Sequence, residues 1–174
     1  TENTPKVLDA IKKFGYQYST KSGTTWGIDN VNTPEEKEAI VAKGRVADNE
    51  IREQFNEGLL SEDEKYRKII ALWEKIKNEI QDVMVPSLDE RSSTYDMITS
   101  GARGALHQIT QMAGMIGNIV NTKGQPLEFP ITRSYKEGLS PIDYFIITHG
   151  SRKGLADTAL KTAQAGYLTR RLVD

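Results

Sequence analysis

The chain has 174 residues, of which 37% are hydrophobic and 27% charged, enough to form one or two small cores. It contains no cysteine, which excludes disulfides and metal sites built from thiolates. No stretch approaches the roughly 20 consecutive apolar residues that a membrane-spanning helix needs, and no signal-peptide pattern is present. These features predict a cytoplasmic protein that works away from membranes.

The net charge of −1 conceals an asymmetry between the two halves of the chain. Residues 100–174 carry a net charge of +4, and residues 1–99 a net charge of −5. The second half is therefore the better candidate for contact with a polyanion such as nucleic acid.

Residues 1–32 are interpreted as a packing segment without chemistry. Four apolar residues recur there at helical spacing: Val7, Leu8, Ile11 and Phe14. Gly15 is expected to end this helix. The residues that follow, 16–29, are typical of β structure, with a turn at Ser22–Gly23.

Residues 33–86 predict an antiparallel helical hairpin. Thr33 followed by Pro34 and two glutamates is a helix-start pattern, and Gly58 is a stop. After a tip of two or three residues, Ser61 to Glu64 form a second capping box. Six residues then alternate at spacings of three and four along the second helix: Tyr66, Ile69, Trp73, Ile76, Ile80 and Val83. This heptad-like seam is the core of the hairpin, and Pro86 closes it.

The hairpin tip is a candidate docking site. Leu59 and Leu60 lie where no core is expected, among charged residues. Exposed leucines are ordinary, so the alternative is a surface without a partner. The candidate residues are Glu57, Leu59, Leu60, Glu62, Asp63 and Lys65.

The SGARG sequence at residues 100–104 is a candidate anion site. Glycines surround a single cation, Arg103, just before a predicted helix with Leu106, Ile109, Met112 and Ala113 on one face. Free backbone N–H groups and a guanidinium suit phosphate oxygens. Glycine-flanked arginines are also common in ordinary loops, and that alternative stays open.

Residues 118–132 predict a β-hairpin with its turn near Lys123–Gly124 and prolines at edge positions. A third helix start follows at Ser140–Pro141. His149 is interpreted as a cap or packing group, and neither it nor His107 has partners at metal-ligand spacing.

The final stretch predicts a basic helix with a thin surface, opened by Ser151 as N-cap. Small side chains, hydroxyls and cations alternate along it, so a polyanion could approach its backbone closely. The alternative is an alanine-rich packing helix with a solvated charged face. Together these elements predict a mainly α fold: a coiled-coil-like antiparallel hairpin, further helices and a small β-hairpin.

The order of residues in three places resembles one protein family. The string HGSRKGLADTALKTAQAGYLTRRLVD is similar to the start of the bridge helix in the largest, beta-prime-type subunit of multisubunit RNA polymerases. SGARG with QITQMAGM, and EIREQFNEGLLSEDEKYRKIIALWE, resemble the same family. Thr110 stands where the family often has an arginine, so a contact by that cation is not expected here.

The resemblance implies four segments: packing residues 1–32, rim helices 33–86 at the secondary channel, the SGARG helix with a β-hairpin at 87–136, and the bridge-helix start at 137–174. It implies that Arg103 contacts the triphosphate of the incoming nucleotide. It implies that the hairpin tip docks transcript-cleavage factors of the Gre type and DksA-like regulators. The bridge-helix residues implied to lie near the template and active site are Arg152, Lys153, Thr162, Ala163, Gly166, Thr169, Arg170 and Arg171, with Gly154 and Gly166 as hinges.

The family's catalytic aspartate motif, NADFDGD, which holds magnesium, does not occur in this sequence. The resemblance therefore implies no catalytic residue, metal site or cofactor in this segment, while the parent enzyme uses magnesium and structural zinc elsewhere. Implied partners are the rest of beta-prime, the beta, alpha, omega and sigma subunits, template DNA, nascent RNA and nucleoside triphosphates.

Two further expectations concern the chain as a unit. The missing initiator methionine and the absence of a stop at Asp174 suggest an excised fragment, which we expect to be inactive alone. A rival interpretation from another class is a stand-alone helical-hairpin interaction module with a basic, nucleic-acid-facing tail.

Overall fold

The computed structural model describes residues 3–174 and is built mainly from helices. Within these residues the α-helices are α1 (Thr4–Ser22), α2 (Lys37–Asn56), α3 (Glu62–Met84), α4 (Ser93–Thr99), α5 (Leu106–Ile109) and α6 (Pro141–Val173). A 3-10 turn lies at Ile28–Asn30, and α5 runs directly into a π-helical segment at Thr110–Gly114. The predicted mainly α class is confirmed.

Helices α2 and α3 form the predicted antiparallel hairpin. Phe55 lies against Lys65 near the tip, and Lys43 lies 3.8 Å from Glu79 at the other end. The turn, residues 57–61, is longer than expected because α2 ends in a Schellman motif. Gly58 takes the left-handed conformation at φ 79°. The capping box at Ser61 is confirmed and begins α3.

The core lies along one stripe of α3. Five residues of this stripe are buried: Ile69, Trp73, Ile76, Ile80 and Met84. They pack with Val41 of α2 and with Ile109 and Ala113 of the α5 region. Met84 is buried where Val83 was predicted, because the last turns follow the 3.6-residue period of a straight helix rather than a strict heptad.

Two glycines allow close approach to α3. A Cβ on Gly44 would lie 3.1 Å from Ile76 and 3.3 Å from the Trp73 ring. A Cβ on Gly114, at the end of the π-helical segment, would lie only 2.9 Å from Cγ2 of Ile80. The three elements therefore meet at a distance that larger residues would prevent.

The prediction for residues 15–29 was wrong. Helix α1 continues through Gly15 to Ser22, because a glycine inside a helix costs only about 1 kcal/mol. Gly23, at φ 61°, ends the helix where a turn was predicted. None of the α1 residues is buried, and from this part of the chain Val31 reaches the core.

The predicted start of α2 at Thr33–Pro34 was also wrong. Pro34 is buried and its carbonyl accepts the Lys37 N–H in a turn, so the helix begins at Lys37. Glu36 occupies the N-cap position without a side-chain cap. The position of Lys37 is determined by a contact with a distant part of the chain, described below.

No β-hairpin forms in the described residues, which corrects the prediction for 118–132. Scattered backbone hydrogen bonds join the two segments, and their antiparallel bridges, Gly117 with Ile131 and Val120 with Pro126, stay isolated. The physical reason is that Pro126 and Pro130 lack the N–H groups that a continuous ladder requires.

Helix α6 begins at Pro141, so Ser151 is not an N-cap. The Ser140 hydroxyl accepts the Asp143 N–H at 3.2 Å and the helix then runs for 33 residues. Ser151 lies inside it, and its hydroxyl donates to the Ile147 carbonyl. At 1.5 Å per residue, α6 is about 50 Å long.

A polar latch ties the turn before α6 to the base of the hairpin. The Lys37 ammonium, whose side chain is 5% exposed, donates to the Glu137 carboxylate. The same carboxylate accepts the Ser134 N–H, and Lys136 donates to the Val31 carbonyl at 2.7 Å. Burial alone would raise the pKa of Glu137, but the bonds from Lys37 and Ser134 outweigh it and lower the pKa.

We expect this latch to make stability depend on acid pH. A carboxylate with a lowered pKa stabilises the fold above its unfolded pKa, near 4.5, and loses that contribution as pH falls through its folded pKa. Glu137→Gln should therefore be less stable than the unmodified chain at pH 7, and the difference should vanish in acid. Urea unfolding at both pH values measures this, and a difference independent of pH would contradict it.

Candidate functional site

The SGARG turn joins α4 to α5 and presents Arg103 to solvent. Gly101 and Gly104 have positive φ angles of 67° and 85°, so the turn depends on both glycines. The Arg103 side chain is exposed and forms no ion pair within residues 3–174. The Ala105 N–H at the start of α5 is already bound by Gln108 at 3.0 Å. Arg103 is therefore available to an anion, while the Ala105 N–H is not.

At the hairpin tip the two leucines differ. Leu59 is 69% exposed, while Leu60 is half-buried, which corrects the expectation that neither could bury. Glu57, Glu62 and Asp63 are exposed around them. The tip therefore presents one exposed leucine, Leu59, among acidic residues.

Lys65 does not belong to the free surface of the tip. Its ammonium lies 4.3 Å from the centre of the Phe55 ring and 3.7 Å from Glu128. The Tyr66 hydroxyl donates to the Pro126 carbonyl at 2.8 Å. The segment 126–128 thus braces α3 near the tip, a contact that sequence reasoning missed because the partners are some 60 residues apart.

The outer part of α6 is a solvent-facing helix. Every residue of 154–174 except Asp157 is exposed, so Thr162, Ala163, Thr169 and the terminal arginines all lie on open surface. Its threonine hydroxyls donate back to carbonyls of the helix, Thr162 to Thr158 at 2.8 Å and Thr169 to Gly166 at 2.9 Å. These hydroxyls can therefore accept hydrogen bonds from a ligand more readily than donate them.

The cations of α6 are partly engaged. Lys153 lies 3.3 Å from Asp157, and Arg170 lies 3.5 Å from Asp174. Arg171 stacks over the Tyr167 ring at 4.4 Å. Arg152 is exposed and forms no ion pair within residues 3–174. The helix therefore offers one fully free guanidinium and several loosely held cations along its length.

The inner part of α6 is anchored near its middle. A Cβ on Gly150 would lie 3.2 Å from Ile119, and Lys153 lies close to Gly124. His149 packs edge-on against Phe145, with ring centres 5.3 Å apart, which confirms its predicted packing role. Within the described residues no three His, Cys, Asp or Glu side chains could together hold a metal ion.

Gly154 and Gly166 lie inside the continuous helix in open space. A Cβ on either glycine would meet no atom within 4 Å beyond the adjoining backbone of α6 itself. Neither has a positive φ. A close neighbour therefore does not explain these glycines within residues 3–174.

Replacing either glycine with alanine should stabilise α6 locally by roughly 0.5 to 1 kcal/mol, because helical angles suit alanine and the space is open. Amide hydrogen exchange across residues 150–173 measures the change. Gly114→Ala is the matched control and should destabilise the fold, since its methyl would press on Ile80. Faster exchange in α6 of the Gly154 or Gly166 variants would contradict the expectation.

The three predicted site regions remain separate in the chain. No hydrogen bond or ion pair within residues 3–174 connects Arg103, the hairpin tip and α6 to one another. None of the described helices has the length and hydrophobicity required to cross a lipid bilayer. Any joint action of the three regions would therefore depend on surfaces that other parts of an assembly supply.

Comparison with known proteins identifies the family. Residues 41–151 match the family model described as RNA polymerase Rpb1, domain 4, and residues 138–174 match RNA polymerase Rpb1, domain 5. DNA-directed RNA polymerase subunit beta' of Desulforamulus reducens is 48% identical over 99% of the chain. The same subunit of Bacillus subtilis is 47% identical over 98% of the chain.

These relatives are much longer proteins. The chain spans 14% of the length of the Desulforamulus reducens and Bacillus subtilis subunits and 15% of that of Moorella thermoacetica. The two family models nevertheless cover the hairpin from residue 41 onward, the SGARG turn and the whole of α6 without interruption. This chain therefore belongs to the family of the largest RNA polymerase subunit, which includes the bacterial beta' subunit.

Proposed function

We propose that this chain works as part of a DNA-directed RNA polymerase, in template-directed nucleotidyl transfer. The observation that carries the proposal is the 48% identity to a polymerase beta' subunit across 99% of the chain. A match of this extent covers all three candidate site regions rather than a single motif. The long exposed face of α6 supports the same conclusion, because a helix with no buried residue needs partners to hold it.

The proposed roles of Arg103, α6 and the hairpin are assigned from the groups that each exposes to solvent. Arg103, free of ion pairs within the described residues, contacts the triphosphate of the incoming nucleotide. Helix α6 is the bridge-helix start and lies along template DNA and nascent RNA, with Gly154 and Gly166 keeping it deformable. The hairpin lines the channel by which nucleotides reach the active site, and its tip docks factors of the Gre type and DksA-like regulators.

The described residues do not fit a magnesium site, because no suitable cluster of carboxylates is present among them. We therefore assign this chain positioning and access, and no step of the metal chemistry. In the proposed assembly the remainder of beta-prime and the beta, alpha, omega and sigma subunits complete the enzyme in the cytoplasm.

A chimeric polymerase tests the function. The corresponding segment of the Bacillus subtilis beta' subunit is replaced by this chain, and run-off transcription is measured on a promoter template. We expect template-dependent RNA synthesis by the chimera and none by the chain alone with magnesium and nucleotides. Extension by the isolated chain would overturn the assignment of roles. An assembled but inactive chimera that still binds its factors would favour the rival interaction module.

The tip has its own test. Leu59→Asp should weaken docking of a channel-binding factor on the chimera by roughly 1 to 3 kcal/mol, as expected for a modest hot spot. Leu59 suits this test better than the half-buried Leu60, because its exposure means that the fold tolerates the charge. Val46→Asp, on the exposed face of α2, is the control. Equal binding by the Leu59 variant and the unmodified chimera would remove the tip from the docking site.

A further inference from the structure

A cavity of about 320 Å³ lies next to the SGARG turn. Its walls come from parts of the chain that are distant in sequence and include Trp26, Thr94, Met97, Ile98, Arg103 and Met112. The lining is almost entirely apolar, with few polar groups. This size and this composition are typical of sites for small organic molecules.

Thr94 contributes to the cavity wall with a buried side chain. The residue is 1% exposed, and its hydroxyl oxygen has no hydrogen-bond partner within residues 3–174. Because this oxygen is inaccessible, Thr94 offers the cavity no hydrogen bond.

Arg103 is the charged residue in the lining of the cavity. Its side chain lines the cavity, is exposed at the surface and takes part in no ion pair within the described residues. Its guanidinium can form charge-assisted hydrogen bonds to a carboxylate held at the edge of the cavity. The charge of the ligand is therefore expected to be negative.

The remaining lining residues favour a ligand with an aromatic ring. Trp26 is 42% exposed, so part of its ring is free for stacking. Met97 and Met112 add two thioethers, which make favourable contacts with aromatic rings and adapt to their shape.

We propose that this cavity binds a compact aromatic carboxylate. Its ring packs against Trp26 and the two methionines, and its carboxylate meets Arg103. If Arg103 also contacts the nucleotide triphosphate, a consequence that rests on the proposed function, the ligand competes with the nucleotide for the same guanidinium. The cavity would then act as an inhibitory site.

Nitrogen–proton correlation spectra of the full chain test the binding directly. The chain has two tryptophans, Trp26 and Trp73, so their indole N–H resonances report the cavity and the hairpin core separately. Naphthalene-2-carboxylate is the probe, and naphthalene-2-carboxamide is its neutral analogue of equal size. We expect the Trp26 resonance to move saturably with the carboxylate, with a dissociation constant on the order of 1 mM or tighter, while Trp73 stays in place.

The charge is tested by variants. The carboxamide should bind about tenfold more weakly than the carboxylate, and Arg103→Gln should abolish that preference. Arg133→Gln, at another exposed arginine, should leave it unchanged. A stationary Trp26 resonance, equal affinity for both probes, or the same loss in both arginine variants would overturn the proposal.

The expected competition with nucleotide in the polymerase can be tested separately from binding to the cavity. In the chimera the carboxylate should raise the apparent KM for nucleotide. Binding to the chain without this competition would leave the cavity as a ligand site and remove Arg103 from the triphosphate contact. Competition without movement of Trp26 would place the inhibitor elsewhere and overturn the cavity site.

Discussion

Replacing Trp73 with alanine is expected to lower the free energy of unfolding of this chain by about 3 to 5 kcal/mol. Trp73 is 2% exposed, and its ring would lie 3.3 Å from a Cβ placed on Gly44 of α2. Its indole nitrogen has no hydrogen-bond partner within the described residues, so the loss comes from packing. Gly44 and the surrounding isoleucines cannot fill the space that the indole leaves, so a cavity remains. Urea unfolding followed by circular dichroism measures the effect.

Two matched variants make this result specific. Trp26→Ala removes the other tryptophan, which is 42% exposed, and should cost less than about 1 kcal/mol. Trp73→Phe keeps most of the ring and removes the unpaired N–H, so it should cost far less than alanine. Equal losses at Trp26 and Trp73 would show that the hairpin core does not dominate stability.

The hairpin was predictable because its determinants are local. The Ser61 capping box and the apolar stripe from Ile69 to Ile80 both belong to α3, so a short stretch of sequence contains both signals. The start of α2 was not predictable in this way, although Thr33 and Pro34 form an equally good local helix-start pattern. There Pro34 is buried and the Lys37 ammonium pairs with Glu137, 100 residues away, and the Thr33–Pro34 pattern alone specifies neither contact.

The β-hairpin failed for a reason already present in the sequence. Pro126 and Pro130 were interpreted as edge markers, yet in so short a segment they remove the donors on which pairing depends. Gly15 was wrongly predicted to end α1, since a single glycine weakens a helix without ending it. The length of α6 was missed because Gly150–Ser151 looks like a stop and start, while helical geometry tolerates both residues.

The candidate sites also combine features that the local sequence predicts with features that it does not. The exposure of Arg103 follows from the glycines of SGARG, and the exposure of Leu59 from its position in a turn. The engagement of Lys65 by Glu128, and the cavity that joins Trp26 to Arg103, depend on contacts across more than 60 residues. No local pattern in the sequence specifies such contacts, so only the folded chain reveals them.

Replacing Arg103 with alanine in an assembled polymerase that carries this chain should raise the apparent KM for nucleotide roughly tenfold to a hundredfold. The reason is the loss of the proposed charge-assisted contact to the triphosphate, for which a value of about 1.5 to 3 kcal/mol is expected. Because that contact would be present in the bound nucleotide as well as in the transition state, kcat should change little. Nucleotide titrations of single-round elongation separate the two parameters.

Arg103→Lys and Arg133→Ala complete the test. Lysine keeps the charge but loses the planar fork, so its KM should lie between those of arginine and alanine. Arg133 is also exposed and outside every ion pair within residues 3–174, so its loss controls for net charge. Arg103 itself has no packing role beyond the edge of one cavity, and its removal should leave the fold intact. A defect that persists undiminished at saturating nucleotide would therefore place Arg103 in the transition state or in a moving loop, and not in ground-state binding.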